Sequence, residues 1–167
     1  DIVKYLVENG AEVNAKDEFG QSTLHKAVVA GHLDIVKYLV ENGAEVNAMD
    51  ELGRSTLQFA AMMGHVNIVK YLVENGAEVN AMYRWSKSAL HEAVLAGYLD
   101  IVKYLVKNGA EVNAMDKSST SALQLAAENG DVDILKYLVE NGAEVNAMDK
   151  LGRSALQLAA KMGHVNI

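Results

Sequence analysis

Cysteine and proline are absent from the 167 residues, tryptophan occurs once and phenylalanine twice. Without cysteine there is no disulfide framework and no thiolate metal site. That fits a reducing, intracellular and cytoplasmic setting, although engineered proteins often lack cysteine too. No stretch approaches the roughly 18 consecutive apolar residues of a membrane-spanning helix. No signal peptide is visible, and the first residues already read as a helix. Net charge is −7, which argues against a general nucleic-acid surface. Half of the residues are hydrophobic, so the composition is that of a folded chain, long enough for one domain with a sizeable core.

Repetition dominates what is present. Asn-Gly-Ala begins at 9, 42, 75, 108 and 141, a constant step of 33 residues. Periods of this size indicate solenoids or arrays. Ser22, Ser55, Ser88, Ser121 and Ser154 each precede an apolar run, with His25, Gln58, His91, Gln124 or Gln157 three residues on. Ser followed by Gln at this spacing is a capping box at a helix start. The helix so begun ends near a mid-repeat glycine. A second helix follows, as in LDIVKYLVEN, where Ile35, Val36, Leu39 and Val40 form one apolar face. Neither helix is long enough to stand alone, so stability should be a sum over stacked neighbours. The fold class is an all-α repeat solenoid.

The period, the phrase GHLDIVKYLVENGAEVNA and the run Ser-Thr-Leu-His-Lys-Ala resemble ankyrin repeats over the whole chain. The expected division is one domain, 1–167, with repeats at 17–49, 50–82, 83–115 and 116–148 and partial repeats at 1–16 and 149–167. The family pattern has Thr-Pro-Leu-His at the first helix; here proline is lost in every copy, which should soften helix entry without changing the fold. The resemblance implies helix pairs stacked in an arc, with hairpin tips along one edge. It also implies binding through those tips and the concave faces of the first helices. Asp1 and Ile167 both read as lying inside helices without polar caps, as in a window on a longer array or ends that stack on something.

Catalytic and metal-binding patterns do not emerge, and no cofactor is expected. The glycines are far apart, and no His-Glu-x-x-His cluster occurs. His32, His65 and His164 share one repeat position and read as helix-connector contacts. His25 and His91 read as structural groups beside the caps, and the serines as caps. Lys37–Glu41, Lys70–Glu74 and Lys136–Glu140 read as solvated pairs worth about 0.3 kcal/mol each. Tyr5, Tyr38, Tyr71, Tyr104 and Tyr137 repeat, which argues for packing. Met49, Met82, Met115 and Met148, which recur before each turn, read the same way.

Recognition should sit where the copies differ. Those positions are the tips and the ends of the first helices. Phe19, Leu52 and Trp85 occupy corresponding tip positions, with Arg54 and Lys87 nearby. Val29, Met62, Met63 and Leu95 end the first helices, and the fourth repeat turns polar with Ser118, Glu128 and Asn129. An apolar strip with a polar edge is expected over the first three repeats, the kind of patch that marks an interaction site. The alternative is that these side chains pack against neighbouring tips.

One tip stands apart. KDEFGQ, MDELGR, MDKSST and MDKLGR keep an aspartate, whereas residues 82–87 read MYRWSK. Tyr83 replaces the turn aspartate, and Ser86, like Ser119, replaces glycine. If that site needs positive φ, each serine costs on the order of 1 kcal/mol. In exchange the tip carries Tyr83, Arg84, Trp85 and Lys87, residue types common among binding hot spots. The alternative is drift in a surface turn, with Trp85 lying back on its own array.

The leading reading is a non-catalytic protein-interaction module for a protein or peptide with an apolar, partly acidic surface. An engineered binder on such a scaffold is a second reading, weakened by scattered framework differences such as Phe59 against Leu125. A structural array that self-associates end to end is a third. Nucleic-acid binding is disfavoured by charge, and membrane insertion by the lack of a spanning segment.

Overall fold

The structure is a computed structural model that describes residues 2–164. Ten helices are present among the described residues: α1 (Ile2–Glu8), α2 (Thr23–Val29), α3 (Leu33–Glu41), α4 (Thr56–Met63), α5 (Val66–Glu74), α6 (Ala89–Leu95), α7 (Leu99–Lys107), α8 (Ala122–Asn129), α9 (Val132–Glu140) and α10 (Ala155–Met162). The order is that of an all-α repeat solenoid, as the period predicts. The terminal expectations at Asp1 and Ile167 lie outside the described residues. The chain divides into two compact units, Asp1–Glu78 and Val79–Ile167.

Every first helix starts in the same way. Ser22, Ser55, Ser88, Ser121 and Ser154 are N-caps, and all five form complete capping boxes. The histidine copies join the glutamine copies here. His25 Nδ1 accepts the Ser22 N–H at 3.1 Å, and His91 Nδ1 accepts the Ser88 N–H at 3.2 Å. With Nδ1 accepting, the ring proton sits on Nε2, which donates to the Arg54 carbonyl at 3.4 Å in the case of His25. A serine that satisfies a free helix N–H replaces the order lost with proline.

Within the first unit α2 pairs with α3 and α4 with α5, and each pair packs on the next. The core there is Leu24, Val28, Val36, Leu39, Leu57, Ala60, Val69 and Leu72, all essentially inaccessible. The second unit repeats this with α6 to α10 around Leu90, Val94, Val102, Leu105, Leu123, Ala126 and Leu138. Each buried leucine contributes about 2 kcal/mol by leaving water, which is what holds helices of seven to nine residues.

Polar clips set the repeat spacing, and the sequence reading had not singled them out. The Asn14 side chain donates to the Gly43 carbonyl and accepts the Glu45 N–H, both at 2.9 Å. Asn47 does the same to Gly76 and Glu78, Asn80 to Gly109 and Glu111, and Asn113 to Gly142 and Glu144. Three of the repeated tyrosines carry a lysine over the ring: Lys4 over Tyr38, Lys37 over Tyr71 and Lys103 over Tyr137, at 5.6–5.9 Å, whereas Tyr5 is exposed. Lys37 thus goes to an aromatic face, whereas the sequence suggested Glu41. His65 and His164 are connector contacts, donating to the carbonyls of Val29 and Glu128.

Candidate protein-binding surface

The ordinary tip is a turn braced by its aspartate. Asp17 Oδ1 accepts the N–H groups of Phe19 and Gln21, both at 2.9 Å. Asp50, Asp116 and Asp149 accept the corresponding pairs from Leu52 and Arg54, Ser118 and Thr120, and Leu151 and Arg153. Lys26 and the Gln21 N–H hold the Asp17 carboxyl below its ordinary pKa, and Arg153 does the same for Asp149. Tips also bond to each other inside a unit. Glu51 N–H donates to the Phe19 carbonyl, Lys117 N–H to that of Trp85, and Lys150 N–H to that of Ser118.

The tip at 83–87 lacks this brace. Tyr83 brings no carboxylate to this turn, and backbone bonds run from the Tyr83 N–H to the Lys87 carbonyl and from the Ser86 N–H to the Tyr83 carbonyl. Ser86 has φ +55° and Ser119 φ +57°, where Gly20, Gly53 and Gly152 have +71° to +79°. These serines are the only non-glycine residues with positive φ among the described residues, so the conditional strain is real. Tyr83 instead turns toward its own first helix. Its hydroxyl donates to Glu92 Oε1 at 2.7 Å, and its ring meets Trp85 edge to face, centroids 5.7 Å apart and planes at 88°. Trp85 is 49% exposed and Arg84 is exposed; Tyr83 and Lys87 are half-buried.

The other expected contact residues separate into two groups. Phe19 is 60% exposed, and Met62, Met63 and Leu95 are exposed at the ends of α4 and α6. Leu52 and Val29 are half-buried. Arg54 is committed within the fold. It pairs with Asp50 at 2.8 Å and stacks over the Phe59 ring at 4.6 Å, and that ring meets His25 edge to face. Arg153 pairs with Asp149 likewise. Asn129 is also committed, donating to the carbonyls of Val94 and Leu95.

Glu92 is the residue that sequence comparison missed. Its register position holds Lys26, Phe59, Glu92, Leu125 and Leu158, a different choice in almost every copy. The signal was there, but this position lies in the middle of the first helix, where framework residues were expected.

Among the described residues no three His, Cys, Asp or Glu side chains form a group that could hold a metal. No described helix is long and apolar enough to cross a membrane. A protein-family model for ankyrin repeats matches in three copies, over residues 1–83, 49–116 and 90–167. No curated protein matches the chain. Ankyrin repeats are generally protein–protein interaction modules and typically non-catalytic. With capped helix pairs at a fixed period and family matches from end to end, the chain belongs to the ankyrin repeat family.

Proposed function

We propose that this chain is a non-catalytic, intracellular interaction module that binds a protein or peptide through its tips and the ends of its first helices. The tip at 83–87 is the principal contact in this reading. One observation carries it: this tip alone has given up the aspartate brace, it also lacks the glycine found in three of its four counterparts, and it displays exposed Arg84 and Trp85. Turn strain with no local benefit is commonly kept where it serves a contact. Phe19, Met62 and Met63 in the first unit and Leu95 in the second are further exposed apolar candidates, and Leu52 and Val29 are half-buried ones. Lys87 and Arg84 add positive charge suited to acidic groups on the partner. Arg54 contributes to the stability of its own tip.

Affinity capture with two baits tests the reading. One is the native chain; the other carries Tyr83→Asp, Arg84→Glu, Trp85→Leu, Ser86→Gly and Lys87→Arg, the tip of the second repeat. Proteins held by the native bait and lost from the variant support the proposal. Identical captures refute the role of this tip.

End-to-end self-association is a second reading. Sedimentation across a wide concentration range decides this: a constant mass excludes it, and growth with concentration supports it.

A further inference from the structure

We propose that Glu92, Tyr83 and Trp85 form a receptor for one arginine side chain of the protein partner. The inference rests on the tip being the protein-binding surface, and it names what that surface recognises.

Glu92 is the unusual group. It is 8% exposed, yet no ion pair reaches it among the described residues. Its hydrogen-bond partner is the Tyr83 hydroxyl. A carboxylate has room for about four such bonds, and a buried one normally has a cation beside it. The other copies illustrate alternatives. Lys26, at the same register position, pairs with Asp17 of its tip at 2.6 Å, and Phe59 packs under Arg54. In the third repeat both partners have changed: the tip acid has become Tyr83, and the helix base has become Glu92. The negative charge is retained and moved inward, and among the described residues no cation pairs with it.

The aromatic pair specifies which cation fits. Tyr83 touches the carboxylate through its hydroxyl and the indole through its ring, so one side chain fixes the two contact points. Trp85 is 49% exposed beside it. A cation above an indole face is attracted by the ring quadrupole. A guanidinium suits this pairing better than an ammonium. It is planar, stacks on rings, and engages a carboxylate with two parallel N–H groups. Its apolar stem can lie along the indole while the head reaches Glu92.

Trp85 is the single tryptophan, so its fluorescence reports the site directly. The probes are acetyl-Gly-Arg-Gly-amide and the same peptide with citrulline, which keeps the shape and removes the charge. The arginine peptide is expected to give a saturable change in Trp85 emission, with the citrulline peptide at least about tenfold weaker. Glu92→Gln keeps an acceptor for the Tyr83 hydroxyl and should lose about the same factor, with an unchanged far-UV circular dichroism melt. Equal binding of the two peptides, no saturable change, or unaltered binding by Glu92→Gln overturns the proposal. A lysine peptide that binds as tightly overturns the choice of guanidinium. The two proposals fail separately. If capture is lost on rewriting the tip but survives Glu92→Gln, the tip stands and the arginine receptor falls.

Discussion

The His65 imidazole lies against Gly31 of the preceding repeat, so near that a Cβ added at Gly31 would stand 2.7 Å from Cε1. The same ring donates from Nε2 to the Val29 carbonyl at 3.3 Å. Gly97 has nearly the same backbone, φ +77° against +76°, but the nearest atom to its added Cβ is an Asp131 oxygen at 3.8 Å. Gly97→Ala should therefore cost only the strain of a left-handed alanine, about 1 kcal/mol. Gly31→Ala should cost that plus roughly 1–3 kcal/mol of overlap, with loss of the His65 contact. Urea midpoints of the two variants check the difference, and equal losses would contradict it.

The two serines with positive φ yield a gain in stability when reverted. Ser86→Gly and Ser119→Gly should each stabilise by about 1 kcal/mol, since glycine adopts that backbone without strain. Denaturant titration measures this. Ser119→Gly acts as the control away from the proposed site, and Ser86→Gly should leave capture by the native side chains intact.

Burial lowers the pKa of His25 and of His91, each inaccessible in its capping box. Asp50, Lys16 and Lys26 surround the first; Asp116 and Glu92 influence the second. Well above about pH 6.5 both rings are neutral whether folded or not, and their titration adds no pH dependence to stability. As pH falls below that value the unfolded chain binds protons that the folded chain refuses, so stability declines, by at most about 1.4 kcal/mol per pH unit for each ring. The loss is complete below the folded-state value. Urea midpoints between about pH 7.5 and 5 should show this slope, and His25→Gln with His91→Gln should remove it.

His91 carries a further cost. Its Nε2 is buried without a hydrogen-bond partner, whereas the Gln124 amide at the same position reaches the carbonyls of Arg153 and Ala147 at 2.7 and 3.3 Å. His91→Gln at neutral pH should stabilise by about 1 kcal/mol. Thermal melts check it, and a drop in midpoint would mean that the glutamine cannot reach those acceptors.

Leu123 on α8 is 2% exposed. Leu123→Ala should cost about 2–5 kcal/mol. Chemical denaturation of the variant tests this.

Much of the fold was legible because it repeats. A phrase such as Ser-x-Leu-Gln followed by a glycine and Asp-Ile-Val-Lys-Tyr-Leu-Val states helix start, helix stop and apolar face in local terms. Local hydrogen bonding and helical periodicity act over a few residues, so the sequence by itself determined the repeat, the helix pairs and the capping serines. It also marked 82–87 as the divergent tip. What it could not state is which side chain meets which across 29 to 36 positions. The asparagine clips and the seat of His65 on Gly31 depend on such contacts, and the burial of Glu92 depends on the packing around it. Only the tertiary structure decided them, because burial and charge pairing are properties of the stacked neighbour and not of the local sequence.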